Sequence, residues 1–252
     1  MRQRLFVEVQ RWLPAGRRGL HALLPRACLF CESATAGGPL CPGCEGAIPG
    51  AAQPRCPGCA LPLVPAFAPS DSSDLSDPAC PACRRHSPAW RRLRVAGDYA
   101  APLDGAIVAL KYGHRTALAR PLGELLAAAC RDTTFDVLVP MPLAAGRLAE
   151  RGFNPARLLA QALLTAHARP RTDLRDALIR QRETRSQAGL HREARIANVA
   201  GAFLACQRLD GLVVALLDDV VTTGATLQAA SEALLAGGAR EVVGLAVART
   251  AD

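Results

Sequence analysis

The order of apolar and polar positions divides the chain into three stretches. Near the start, Leu5, Phe6, Val9, Trp12 and Leu13 recur at helical spacing with arginines on the other side, which predicts an amphipathic helix within residues 1–27. Such a helix docks on its own protein or a partner, or lies on a membrane surface or nucleic acid. Residues 28–90 show no sustained period, and their Pro-, Ser- and Asp-rich segment from Leu61 to Ala79 reads as a loop. From about Arg91 the pattern alternates between strand-like and helix-like segments. Strands are predicted at Val95–Tyr99, Asp136–Val139, Ala177–Ile179, Phe203–Leu204, Leu212–Leu217 and Val242–Val247. Helices are predicted at Leu103–Leu110, Pro121–Cys130, Pro155–His167 and Thr226–Ala236, the last ended by Gly237-Gly238. Strands alternating with helices imply an α/β domain over residues 91–252 with a doubly wound, mostly parallel sheet.

Composition narrows the class. Half of the 252 residues are hydrophobic, enough for a sizeable core and against global disorder. No apolar run approaches the ~18 residues that cross a bilayer. The first thirteen residues are charged and carry no apolar core of a signal peptide, so the expected location is cytoplasmic, with peripheral membrane contact through the first helix as the open variant. The net charge is +8, and between Val139 and Arg195 eleven arginines face five acids. That excess suits phosphate or nucleic acid, or is a solvated basic surface. Lys111 is the single lysine of an arginine-biased chain, and so a candidate phosphate ligand.

Eight of the ten cysteines form four Cys-x-x-Cys pairs: Cys28 and Cys31, Cys41 and Cys44, Cys56 and Cys59, Cys80 and Cys83. This is a metal pattern rather than a disulfide framework. Each pair aims two thiolates at one point, and two pairs complete a tetrahedral Zn2+ shell, so two closed, structural sites are expected. Sequential pairing is the simplest assignment; interleaved pairing satisfies the spacing equally, and His86 is an unfavoured substitute ligand. A segment this poor in large apolar residues cannot fold on burial alone, and metal binding, worth roughly 10–16 kcal/mol in zinc-finger peptides, supplies the deficit. The lone Cys130 and Cys206 are expected to be small buried hydrophobes.

The other chemical signal is Asp218-Asp219-Val220-Val221-Thr222-Thr223-Gly224-Ala225-Thr226. An apolar strand runs into two carboxylates and then into the start of a helix. Ligands of open α/β sheets bind at the carboxyl ends of strands, and amides at a helix start, with threonine hydroxyls, cradle an anion. Gly224 lets the backbone come close to a phosphate. A helix cap explains one acid, not both acids together with the Thr-Thr-Gly-Ala-Thr run.

That run resembles the phosphoribosyl pyrophosphate (PRPP) signature of type I phosphoribosyltransferases. With the zinc-ribbon pairs ahead of it, residues 25–250 resemble the ComF (ComFC) family associated with natural competence. Further motifs carry the likeness: Leu110-Lys111-Tyr112; Val139-Pro140-Met141-Pro142-Leu143 followed by Arg147 and Arg151-Gly152-Phe153-Asn154; Arg182, Thr184, Gln187 and Leu190; and Arg195, Asn198-Val199 and Gly201-Ala202-Phe203. The resemblance implies a type I phosphoribosyltransferase fold behind a double zinc-ribbon module at 28–90. It also implies ribose contacts at Asp218 and Asp219, a 5-phosphate site at Thr222 to Thr226, and a pyrophosphate turn at Pro140-Met141-Pro142. The segment Arg180–Arg195, with Arg182, becomes a hood that closes over pyrophosphate, and Mg2+ accompanies PRPP. DNA uptake, single-stranded DNA and a helicase partner follow as the family's biology. The alternatives are an active phosphoribosyltransferase with an unidentified acceptor, and a single-stranded DNA-binding module with a relic PRPP site. An aromatic content of 4% argues against a long base-stacking platform, and DNA binding is expected to be phosphate-driven.

Overall fold

The computed structural model describes residues 26–35, 38–63, 79–167, 172–182, 199 and 201–251, and its secondary structure falls into two units, Met1–Glu45 and Gly46–Asp252. The predicted N-terminal helix and most of the hood segment lie outside the described residues, as does most of the loop from Leu61 to Ala79.

The first unit has little regular structure. Two-residue strands β1 (Arg26–Ala27) and β2 (Ala34–Thr35) pair antiparallel, and the short helix α1 (Pro42–Gly46) begins within the second cysteine pair. Proline suits a first helical turn, whose amide has no intrahelical acceptor. The second unit repeats this device with α2 (Pro81–Arg85), again started by the proline inside a cysteine pair.

The rest of the second unit is a three-layer α/β domain. Its elements in chain order are β3 (Arg92–Asp98), α3 (Leu103–Tyr112), α4 (Ala119–Ala129), β4 (Val137–Pro140), α5 (Ala145–Arg151), α6 (Pro155–His167), β5 (Asp173–Leu174), β6 (Leu178–Arg180), β7 (Phe203–Ala205), β8 (Val213–Val221), α7 (Ala225–Ala236) and β9 (Glu241–Arg249). The main sheet has the order β3-β9-β8-β4-β5, and every neighbouring pair is parallel. Strands covered on both faces read as continuous apolar runs, and here Val214 to Leu217 and Val242 to Ala248 are buried throughout.

Alternation along the strands separates the two covering layers. Leu93, Gly244 and Leu216 are register partners on one face, where Leu227 of α7 packs. Helices α4 and α6 cover the opposite face, α4 on β3 and β9 and α6 on β8 and β4. They pack closely because Gly123 has no side chain: a Cβ there would sit 2.5 Å from that of Ala162. The pair β6 and β7 forms a separate antiparallel ribbon, with Arg180 opposite Phe203.

Several expectations need correction. The strand before the two acids does not end at Leu217; it runs to Val221 because β9 extends beside it, pairing Asp218 with Ala246 and Val221 with Arg249. Helix α5 was not anticipated, since it is seven residues long with none buried and has no apolar period to read. Strand β5 is likewise too short to show a pattern. Cys130 is buried as expected, but Cys206 is exposed, its Sγ 3.2 Å from the Asp176 carbonyl.

Candidate functional site

The eight paired cysteines gather as Cys28, Cys31, Cys41 and Cys44, and as Cys56, Cys59, Cys80 and Cys83, with the four sulfurs of each cluster within 4.8 Å of one another. Pairing is therefore sequential, and His86 is exposed outside either cluster. The donor sets fit zinc. Bonds of about 2.3 Å in a tetrahedron put sulfurs roughly 3.8 Å apart, and Cys31–Cys41 and Cys59–Cys80 stand at 3.6 and 3.7 Å. Charge tells the same story. A hydrogen bond from Cys59 holds the Cys56 thiol down at about 4, while Cys59 itself is pushed up by Cys56, and Cys83 is pushed up to about 12 by burial and the Cys56 charge. In the other cluster, burial works against Cys28, but backbone amides at Cys31, Cys41 and Phe30 bring it to about 6; Cys44 is pushed up to about 12. In each cluster a lowered thiol stands beside raised ones, Cys28 and Cys41 beside Cys44 and Cys56 beside Cys59 and Cys83, a crowd that a cation would neutralise.

At the carboxyl edge of the sheet, β4 and β8 part company. Pro140 pairs with Leu217, the Met141 amide donates to the Leu217 carbonyl at 2.7 Å, and beyond that point β8 continues beside β9 alone. From this divide β4 connects outward toward β5 and β8 toward β9, which makes it the switch point where doubly wound sheets leave a crevice. A cavity of about 430 Å³ occupies it.

Its floor is the acidic pair and the loop after it. Burial, then the charge of Asp219, pushes the Asp218 carboxyl up to about 7, against the opposing pull of Lys111. Asp219 is buried, with Oδ1 2.7 Å from both the Lys111 Nζ and the Val220 amide. Burial lowers the Lys111 pKa, but the charge and hydrogen bond of Asp219 raise it further, so the side chain stays an ammonium. Gly224 has φ +80 and caps α7. It turns the chain through a left-handed conformation that costs other residues energy and brings the start of the helix to the cavity. The Thr223 hydroxyl accepts from the Ala225 amide at 3.3 Å.

The wall facing the loop carries positive charge. Arg147 and Arg151 of α5 and Arg180 of β6 line it. Burial and the nearby charge of Arg147 lower the Arg180 pKa, and Asp218 partly offsets this; the Arg180 guanidinium also lies 5.4 Å over the Phe203 ring. Arg151 stacks 5.0 Å over Tyr112. Asn154 fixes the adjoining turn, donating to the Met141 carbonyl at 2.9 Å while accepting from the Ala156 amide at 3.0 Å at the start of α6.

Of the site residues expected from sequence, Lys111, Met141, Pro142, Asp218, Asp219, Thr222, Gly224, Ala225 and Thr226 line this one cavity. Pro140 is buried at the end of β4, Thr223 supports the loop from outside the lining, and Arg182 is exposed outside it. The Met141–Pro142 bond is trans. Sequence reasoning assigned no role to Tyr99, Tyr112, Asn154 or Thr250, all of which line the cavity. One signal existed: the two tyrosines of the chain flank the same helix, α3.

No protein-family model matches the chain. Curated proteins do. It is 35% identical to DNA utilization protein YhgH of Escherichia coli strain CFT073 over 179 residues, covering 68% of this chain and 78% of that one. It is 33% identical to Competence protein F of Haemophilus influenzae over 173 residues, 65% and 75% of the two chains. It is 36% identical to Competence protein ComFC of Bacillus subtilis over 102 residues, 40% and 39% of the two. Among solved structures, glutamine PRPP amidotransferase from B. subtilis aligns over 50% of this chain and 25% of its own with TM-score 0.35 and 22% identity. A phosphoribosyltransferase from Corynebacterium diphtheriae aligns over 60% and 72% with TM-score 0.32 and 21% identity. On the identity and coverage of its sequence relatives, the chain belongs to the ComF family.

Proposed function

We propose that this protein binds PRPP with Mg2+ in the cavity between β4 and β8 and acts in the handling of DNA during uptake. The observation that carries the ligand is the pairing, in one crevice, of a carboxylate pair with a helix-start anion loop and an arginine wall. No neutral or singly charged ligand calls for all three. In this reading the ribose hydroxyls donate to Asp218 and Asp219, and the 5-phosphate accepts from the loop 222–226. The pyrophosphate lies toward the Met141-Pro142 turn, with Arg147 and Arg180 as its counter-charges. Mg2+, when bound with the ligand, neutralises pyrophosphate charge. Arg182 is read as a further counter-charge to the pyrophosphate.

The names of the relatives, DNA utilization protein and competence protein, support the biological half. The partners proposed are single-stranded DNA and a helicase, and the location proposed is the cytoplasm; no helix among the described residues is long and apolar enough to cross a membrane. The arginine excess between Val139 and Arg195 supports phosphate-driven contact with DNA. The zinc ribbons are read as the module at 28–90 and the phosphoribosyltransferase domain as 91–252.

Calorimetric titration with PRPP and Mg2+, beside the Asp218→Asn, Asp219→Asn double variant, tests the ligand. Saturable heat that the variant loses supports the reading. Absence of heat, and of competition by ribose 5-phosphate, would sink it and leave a DNA-binding protein with a relic site.

A further inference from the structure

The turn between Cys56 and Cys59 is sewn to the sheet through consecutive carbonyls. Pro57 accepts from the Leu93 amide at 2.7 Å, Gly58 from the Trp90 indole Nε1 at 2.7 Å, and Cys59 from the Arg249 Nε at 3.0 Å. Ala60, the next residue, accepts from Arg55 Nη1 at 2.7 Å, and Arg55 pairs with Asp98 at the end of β3. Trp90 and Arg249 are both buried.

The same two side chains reach the phosphate loop. A Cβ built on Gly224 would lie 3.4 Å from the Trp90 Cη2, so the indole edge floors the loop at its left-handed residue. The Ala89 amide donates to the Gln228 side chain at 3.0 Å, and the Gln228 amide donates to the Gly224 carbonyl at 2.8 Å. The Arg249 Nη1 donates to the Thr250 carbonyl at 2.7 Å and makes a longer contact, 3.4 Å, with the Val221 carbonyl; Val221 also accepts from the Thr250 amide at 3.0 Å. Each side chain therefore touches the cysteine turn at one end and the loop or its root at the other.

We propose that Trp90 and Arg249 are positioning residues through which the Cys56, Cys59, Cys80 and Cys83 site, when it holds its metal, keeps the loop 222–226 in its anion-binding shape. The physical reason is acceptor geometry. A metal held by the four thiolates would cross-link the Cys56–Cys59 turn to Cys80 and Cys83 and so fix where the Gly58 and Cys59 carbonyls point. Without that cross-link the turn relaxes, and two buried donors lose oriented acceptors, a condition buried polar groups escape by moving. The groups that would move are those supporting Gly224 and Val221. The proposal rests on the reading that the loop binds phosphate, but its structural half stands without it.

The test combines zinc content, amide hydrogen exchange in residues 221–228 of the ligand-free protein, and affinity for ribose 5-phosphate. Three variants are compared: Cys80→Ser, Trp90→Phe, and Cys41→Ser as the control that loses the other metal. Trp90→Phe cuts the link at both ends, deleting the donor to Gly58 and withdrawing the indole edge from Gly224. Cys80→Ser and Trp90→Phe should both accelerate exchange in 221–228 and weaken ribose 5-phosphate roughly tenfold, the effect of one mispositioned hydrogen bond. Trp90→Phe should do so while retaining two zincs per chain, and Cys41→Ser should do neither. If Cys80→Ser has lost its zinc and exchange in 221–228 is unchanged, the proposal is overturned. Should Cys80→Ser fail to fold, Trp90→Phe decides alone: unaltered loop exchange and affinity overturn it. A wild-type protein that ignores ribose 5-phosphate would refute the phosphate reading, while the exchange arm still decides the coupling.

Discussion

Lys111 Nζ sits 2.7 Å from Asp219 Oδ1, the two side chains only 19% and 13% exposed. The sole lysine of the chain thus enters the cavity as the counter-charge of its floor, at the end of the first helix after β3. Read as a phosphate ligand from sequence, it is a carboxylate partner in the structure, and both roles are compatible with one flexible ammonium at the proposed polyanion site.

Removing this charge leaves Asp219 buried beside Asp218 with no cation in contact. Lys111→Met is expected to lower stability by about 3 kcal/mol, the scale for breaking a buried pair from one side. Denaturant unfolding at pH 8 measures it, and Lys111→Arg, which keeps the charge, should recover part of the loss.

Asp218 sets a pH dependence whose sign follows from its raised pKa of about 7. In the unfolded chain it titrates near 3.8, so the folded state holds the proton more tightly. Its contribution to stability is present in full below the unfolded value and is lost as pH rises through 7. Asp218→Asn should therefore raise the melting temperature at pH 8, by roughly 2–4 °C for each kcal/mol relieved. The gain should vanish near pH 4. A variant less stable than wild type at pH 8 would contradict the assignment.

The same titration should appear in binding with the opposite sense. Asp218 must be ionised to accept from ribose hydroxyls, so PRPP affinity is expected to rise between pH 6 and pH 8 and level off above. Calorimetry in buffers of different ionisation heat would register up to one proton released per ligand bound.

Gly224 is intolerant of a side chain because its φ of +80 strains any L-residue; a Cβ would reach Trp90 only at ordinary contact, 3.4 Å. Gly224→Ala should cost about 1–2 kcal/mol of stability, and Gly224→Val more. Ribose 5-phosphate affinity should fall in both, since the loop must shift to relieve the backbone strain; thermal melts with and without ligand separate the two effects.

Metal analysis should find two zincs per chain, and Cys28→Ser or Cys83→Ser should each remove one. Zinc binds thiolates, so affinity should weaken as pH falls and the thiols take up protons. Competition with a chromophoric chelator across pH gives the proton count.

What could be read in the sequence was written in contiguous residues. Four Cys-x-x-Cys pairs declare tetrahedral thiolate chemistry because two residues between ligands are enough to aim both sulfurs inward. The run from Leu212 to Thr226 declares strand, acids and helix start in one line, and the helix Pro155–His167 matches its predicted bounds because its apolar period is long. Elements with little to bury, α5 and β5, carried no such period.

The sequence by itself determined the two candidate sites, the paired cysteines and the acidic strand end with its loop, and the alternation of strands and helices that makes a parallel sheet. Tertiary structure alone decided which cysteines share a cluster and that β8 runs on through its acids. It also decided that Lys111, Arg147 and Arg180, far from Asp218 along the chain, meet it at one crevice. The reason is the parallel sheet itself. Its crossover connections place strand ends side by side without regard to their distance in sequence, and the divide between β4 and β8 exists only once both strands have found their neighbours. The link from a cysteine turn through Trp90 to Gly224 is of the same kind, made of carbonyl directions and ring contacts that no local pattern records.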